Sequence, residues 1–214
     1  MPGADLGSSL AHYRELAPRY DASTHRIDVI RERAIEALRL RPGETVVDAG
    51  CGTGWCLPRL LERVGDQGHV LGFDPSPHML EVARARLNGH GARIELVDAS
   101  AQSVSLPLAT NAILFSYTHD LIRSIAALDN VLGQVRPGTR VVAVGTKLFS
   151  PWLFPANWIV RYRHRAYMTD IASLGAPWSL LAAYLEDFVL TADPMRQHYF
   201  AAGIRVRPRS RYEA

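Results

Sequence analysis

The 214-residue chain is 48% hydrophobic with a formal net charge of +3, a balance that suits one packed globular domain and excludes disordered and fibrous classes. Its mild basicity permits contact with nucleic acid or an anionic surface without calling for either. Two cysteines, Cys51 and Cys56, make no disulfide framework; the first thirty residues lack the apolar core of a signal peptide, no run approaches the ~18 apolar residues of a membrane span, and a cytoplasmic protein is expected.

In chain order, residues 6 to 20 and 25 to 39 have helical spacing, the second with Ile27, Ile30, Ala34 and Leu38 on one stripe and arginines opposite. Arg41-Pro42-Gly43 ends it, and Thr45 to Ala49 reads as a short buried strand. Helix is expected from about Trp55 to Val64, with Pro58 tolerated in its first turn. Strand 69 to 73, helix 76 to 88, strands 93 to 97 and 111 to 116, helix 120 to 134 and strand 140 to 145 follow. A stretch rich in aromatics and arginines (150 to 168), a helix near 177 to 185 and two β-rich segments (186 to 192 and 196 to 206) complete the chain. Alternating strands and helices predict an α/β protein. Its sheet is Rossmann-like, doubly wound and mostly parallel with seven strands, covered by helices on both faces and closed by a C-terminal antiparallel pair.

Ligands of such sheets bind beyond the carboxyl ends of the strands where the winding reverses, which directs attention to Val46-Val47-Asp48-Ala49-Gly50-Cys51-Gly52-Thr53-Gly54. A dinucleotide fingerprint would place a third glycine at 55, where this chain has Trp55. Asp48 would repel a pyrophosphate, whereas it suits a ligand carrying an ammonium and a sulfonium. Asp74, ending the second strand, is placed to accept hydrogen bonds from ribose hydroxyls, and Asp98, ending the third, from an adenine amino group. One strand-end aspartate is ordinarily a turn former or cap; three in succession behind a glycine turn favour a ligand site.

These segments, together with Gly72-Phe73-Asp74-Pro75-Ser76-Pro77-His78-Met79-Leu80, resemble class I S-adenosylmethionine-dependent methyltransferases in order and spacing over about residues 10 to 145. The resemblance implies S-adenosylmethionine as cofactor and S-adenosylhomocysteine as product. It implies that Gly50, Cys51, Gly52 and Gly54 line the methionine portion beside Asp48, that Asp74 and Pro75 meet the ribose, that Met79 covers an adenine face, and that Asp98 and Ala99 meet the adenine edge. Ser116 and Tyr117, after the fourth strand, complete the expected cofactor-binding set. Tyr13 to Asp21 resembles the opening of small-molecule and quinone or lipid methyltransferases, in which a tyrosine closes over the cofactor; this assigns Tyr20 to the cofactor and the catalytic centre. The chain then divides into an N-terminal helical cap (1–40), a cofactor-binding core (41–148), a lid or substrate segment (149–185) and closing strands with a tail (186–214).

Methyl transfer is an in-line displacement that chiefly requires positioning and exclusion of water. If the acceptor must lose a proton, histidine titrates nearest neutrality, and His119, directly after the fourth strand, is the expected catalytic base, with Asp120 capping the helix that begins there. Ser116-Tyr117-Thr118-His119 replaces the Asn/Asp-Pro-Pro-Tyr/Phe motif of base and amide methylases, and both cysteines lie at the cofactor turn, which argues against nucleic acid as substrate. No His, Cys and acidic residues have metal-ligand spacing, so no metal is expected. The expected acceptor is a nitrogen or oxygen of a small apolar or amphipathic metabolite. Trp152, Phe154, Trp158, Tyr162 and Tyr167 among Arg161, Arg163 and Arg165 read equally as a lid, a peripheral membrane contact or a packed helix. Trp178 and Gln197 to Gly203 resemble bacterial phosphatidylethanolamine-type N-methyltransferases, which leaves a phospholipid amine as the alternative acceptor and a non-catalytic S-adenosylhomocysteine-binding protein as a further one.

Overall fold

In the computed structural model of the chain, the described residues are 21, 24–88, 93–149, 157–158, 172–192, 195 and 197–205. The expected helix 6 to 20, Tyr20, and most of the aromatic stretch 150 to 168 lie outside them. After a 3-10 turn at His25–Ile27 come α1 (Asp28–Ala37), β1 (Thr45–Ala49), α2 (Leu57–Val64), β2 (His69–Asp74), α3 (Pro77–Arg86), β3 (Ile94–Asp98) and β4 (Thr110–Ser116). The chain continues through α4 (His119–Ile122), α5 (Ile125–Gly133), β5 (Arg140–Thr146), a 3-10 turn at Ala172–Gly175, α6 (Ser179–Ala182), β6 (Leu185–Thr191) and β7 (His198–Arg205).

The strands form one seven-stranded sheet in the order β3-β2-β1-β4-β5-β7-β6. The first five are parallel, and β7 runs antiparallel to both β5 and β6. Alternate residues of each strand face opposite layers. Val47, Ala49, Ile113, Phe115, Val141 and Ala143 pack with Leu128, Val131 and Leu132 of α5, while Val46, Ala112, Leu114, Val142 and Val144 pack with Ala34, Ile35 and Leu38 of α1 and Leu57, Leu60 and Leu61 of α2. Winding runs from β1 outward to β3 on one side and through β4 and β5 on the other, so the reversal falls between β1 and β4.

The expected helix 120 to 134 is two helices. Ser124 is extended (φ −100°, ψ 115°) and its hydroxyl accepts from the Ala127 N–H, starting α5 afresh. Asp120 lies in the first turn of α4 and Thr118 holds the N-cap position, so Asp120 is not the cap. The expected helix 177 to 185 shrinks to the single turn of α6, because Tyr184 and Leu185 are drawn into the core as β6 begins. Among the described residues no helix is long and apolar enough to cross a membrane.

Ser124→Ala should lower stability by about 1 kcal/mol through loss of the cap, a melting-temperature drop of roughly 2 to 4 °C, with Ser124→Asp close to wild type in the same thermal melts.

Candidate active site

The β1 turn and the β4 turn meet at the winding reversal. Gly50, Gly52 and Gly54 all have positive φ (+72°, +54° and +73°), a backbone only glycine adopts without strain. Gly50 is also sterically fixed: a Cβ there would stand 2.5 Å from Thr118 Cγ2, so the two turns close on each other with no room for a side chain. A Cβ at Gly54 would lie 2.9 Å from the Cβ of Ala83, which seats the turn against α3.

Side chains from three directions hold this turn. Asp74, at the end of β2, accepts from the Gly52 N–H at 3.0 Å and the Ser76 N–H at 2.9 Å; the residue expected to meet a ribose therefore also orders the glycine loop. The Thr53 hydroxyl donates to Asp21 at 2.7 Å, Arg86 of α3 pairs with Asp21, and Arg86 Nε donates to the Thr53 carbonyl at 3.0 Å. Asp21 is thus tied to the turn and to α3; Tyr20 lies outside the described residues. The Cys51 N–H donates to the Phe73 carbonyl at 2.9 Å; both cysteines are buried and burial pushes their thiols well up, so they are inert packing groups. Pro75 is half-buried, Met79 is buried in the first turn of α3, Ala99 is half-buried and Asp98 is exposed opposite Asp74 across β2 and β3.

Asp48 is 1% exposed, and its Oδ1 has no hydrogen-bond partner among the described residues. Burial raises its carboxyl to about 7; Arg31 opposes that rise and Asp74 adds to it. Burial likewise raises Asp74 to about 6, against the two backbone hydrogen bonds it accepts and with a further push from Asp98. Arg31, 5% exposed on α1, was not among the residues singled out from sequence. Its Nη1 donates to Asp28 at 3.1 Å, and its guanidinium lies over the rings of Trp55 (5.3 Å) and Tyr117 (5.9 Å). A buried guanidinium and a buried, incompletely bonded carboxylate beside one glycine turn complement a zwitterion, and the amino-acid end of S-adenosylmethionine is one; the residues present fit that cofactor.

On the β4 side, Ser116 ends the strand and Tyr117, at φ +60°, takes the left-handed conformation while its N–H donates to the Val144 carbonyl at 2.8 Å. The Tyr117 hydroxyl is 3.0 Å from His198 Nδ1 at the start of β7. His119 is buried, and its Nε2 accepts from the Thr146 N–H at 3.2 Å. Its ring also presses on the sheet, since a Cβ at Gly145 would lie 2.7 Å from His119 Cε1 and 3.0 Å from the Tyr199 hydroxyl. Trp178 packs on Tyr199 with ring centroids 5.0 Å apart. Burial, then the neighbouring Tyr117, pushes the Tyr199 phenol up.

Residues 46–138 match the family model described as a methyltransferase domain. Over this stretch the chain is similar to methyltransferase domains, and its sheet has their class I, Rossmann-like fold. The aklanonic acid methyltransferase of Streptomyces sp. (strain C5) is 34% identical over 118 residues, covering 51% of this chain and 54% of the relative. A demethylmenaquinone methyltransferase of Desulfitobacterium hafniense (strain Y51) is 28% identical over 141 residues, covering 62% and 56%. The chain thus spans about half the length of these curated relatives. A crystal structure of a SAM-dependent methyltransferase from Aquifex aeolicus shares the fold, with a TM-score of 0.60 at 17% identity over 92% of this chain and 98% of the other. The matched stretch takes in the glycine turn held by Asp74, Asp21 and Arg86, and β5 and β7 extend the same sheet beyond it.

Asp48 is neutral in the folded domain below about pH 7 and in the unfolded chain below about pH 4. The destabilisation from charging it in place therefore grows from about pH 4 and is complete above its folded value. The stability of Asp48→Asn relative to wild type should rise steadily between about pH 4 and pH 8 in urea melts; a difference that stays flat over that range would contradict this. Gly50→Ala should lower cofactor affinity at least tenfold by forcing the two turns apart, measured by titration calorimetry with S-adenosylhomocysteine.

Proposed function

We propose that the chain is a methyltransferase that moves the methyl group of S-adenosylmethionine to a hydroxyl oxygen of a small, largely apolar aromatic metabolite of the quinone or polyketide kind. The observation that carries the cofactor half is the pair of buried opposite charges at the glycine turn, Asp48 with an unmatched oxygen and Arg31 beside it. Asp48 receives the ammonium of the cofactor's amino-acid end and Arg31 its carboxylate. Asp74, with one lone pair of each oxygen still available beyond its backbone bonds, receives the ribose hydroxyls. Gly50, Cys51, Gly52, Gly54 and Pro75 supply close backbone approach, Met79 an apolar surface, Asp98 and Ala99 the adenine edge, and Ser116 and Tyr117 the wall facing the reacting carbon. When bound, S-adenosylmethionine supplies a methyl carbon activated by a sulfonium. The chain's own task is to hold the acceptor oxygen in line and keep water out.

The acceptor half is supported by the names of relatives, a demethylmenaquinone methyltransferase and an aklanonic acid methyltransferase, and by Trp178 packed at a tilt against Tyr199, itself close to Tyr117 of the β4 turn. His119 is assigned a structural part here. Its Nε2 lone pair is committed to the Thr146 N–H, so the ring carries its proton on Nδ1 and can take a second only by breaking a buried hydrogen bond.

Calorimetry with two nucleosides tests the cofactor half. S-Adenosylhomocysteine carries the amino acid; 5′-methylthioadenosine carries the same nucleoside and sulfur without it. Wild type should prefer the former, and Arg31→Met should weaken S-adenosylhomocysteine by about 2 kcal/mol, the usual scale for removing one partner of a buried charge contact, while 5′-methylthioadenosine binds as before. Equal loss for both ligands would make Arg31 a packing residue only, and failure of wild type to bind either would remove the methyltransferase reading.

A further inference from the structure

The glycine turn has little of its own to be held by. Between Gly50 and Gly54 only Cys51 and Thr53 carry side chains; the Cys51 thiol is buried as packing, and Thr53 supplies the turn's one hydroxyl. Thr53 is 2% exposed and is gripped at two atoms. Its hydroxyl donates to Asp21 Oδ1 at 2.7 Å, and its carbonyl accepts from Arg86 Nε at 3.0 Å. Arg86 Nη2 donates to the other oxygen of Asp21, which closes a ring of three hydrogen bonds through residues 21, 53 and 86. The ring suits an arginine, because the Nε–Nη2 edge of a planar guanidinium spans two acceptors in a fixed geometry, whereas a lysine ammonium is a single point. Arg86 follows Ala83 by three positions and so shares its face of α3, and Ala83 is the residue against which Gly54 is seated. α3 therefore meets the turn at two consecutive residues, and Asp21 closes the ring from a separate segment, at a partly exposed end.

We propose that Asp21 and Arg86 are positioning residues of the cofactor site, acting through Thr53 to hold the glycine turn in the shape that receives S-adenosylmethionine. The assignment rests on the methyltransferase reading above and adds to it two residues that need not touch the ligand. A turn whose glycines stand at φ +72°, +54° and +73° has many other conformations within reach once its ties are removed. A ligand that requires one shape then binds with an affinity lowered by the fraction of molecules that hold it. Asp74 fixes the turn at the Gly52 N–H, and the ring fixes the next residue at its carbonyl and its hydroxyl. Together the two ties constrain the peptide units on both sides of Thr53.

Titration calorimetry with S-adenosylhomocysteine, run beside urea melts of the same variants, separates positioning from folding. Thr53→Val removes the hydroxyl at nearly constant volume and should bind about three- to tenfold more weakly than wild type, the scale of one net hydrogen bond. Thr53→Ser keeps the hydroxyl and should stay within about twofold. Asp21→Ala and Arg86→Met should each lose affinity by a factor similar to that of Thr53→Val or larger. Because Asp21→Ala and Thr53→Val delete one and the same bond, the double variant should bind much more tightly than the product of the two single losses predicts. The Asp21→Ala and Arg86→Met pair should behave likewise, and this cycle, at partly exposed positions, decides the matter should Thr53→Val not fold. Variants that lose stability yet bind as tightly as wild type, or losses that simply multiply in the double variants, overturn the positioning role while leaving the cofactor site standing. A wild type that does not bind S-adenosylhomocysteine overturns the cofactor reading, and the positioning role with it.

Discussion

A carboxylate sealed inside the central strand is costly unless something meets it, and Asp48 is such a group: buried on β1, one oxygen unmatched, its proton held up to about neutral pH. Its position is dictated by the sheet. β1 is flanked by β2 and β4 because the winding reverses there, so the residues after β1 and β4 converge on one crevice. The protein tolerates the burial by placing the Arg31 guanidinium nearby, spread over Trp55 and Tyr117, without closing an ion pair that would cancel the site.

The crevice is narrow by construction. Gly50 and Thr118 leave no room for a Cβ, Gly54 abuts Ala83, and Gly145 allows His119 and Tyr199 to lie against β5. The polar ties are long in sequence and short in space: Asp74 to Gly52, Asp21 to Thr53, Tyr117 to His198. Such ties fix donors and acceptors before a ligand arrives, which is how a site whose chemistry is mainly positioning gains rate. Asp48, Asp74 and Arg31 gather their charges about the glycine turn, while the Tyr117–His198 and Trp178–Tyr199 pairs lie towards β7.

The sheet was legible from sequence because its signals are local. Apolar runs bounded by turns mark β1 to β5, and the glycine turn with Asp48, Asp74 and Asp98 marks the reversal. Arg31 was hidden, since an arginine opposite an apolar helical stripe reads as solvated, whereas here the rings of Trp55 and Tyr117 cover it. The break at Arg123 and Ser124 had a signal in the serine itself, overridden by the continuous apolar pattern around it. His119 reads as a base from its place after β4, and the hydrogen bond its Nε2 accepts from the Thr146 N–H, 27 residues on, is one that no local pattern contains. The pairing of Tyr117 with a histidine on the closing antiparallel strand likewise follows from the β5–β7 register, which no local pattern contains.

The most direct test is whether Asp48 meets a cation. Titration of S-adenosylhomocysteine into the protein at pH 7, in buffers of differing ionisation enthalpy, counts the protons exchanged on binding. An ammonium arriving at Asp48 lowers its affinity for a proton, so wild type should release on the order of half a proton, and Asp48→Asn should release none. Binding with no proton release, or with the same release from the Asn variant, would contradict the account.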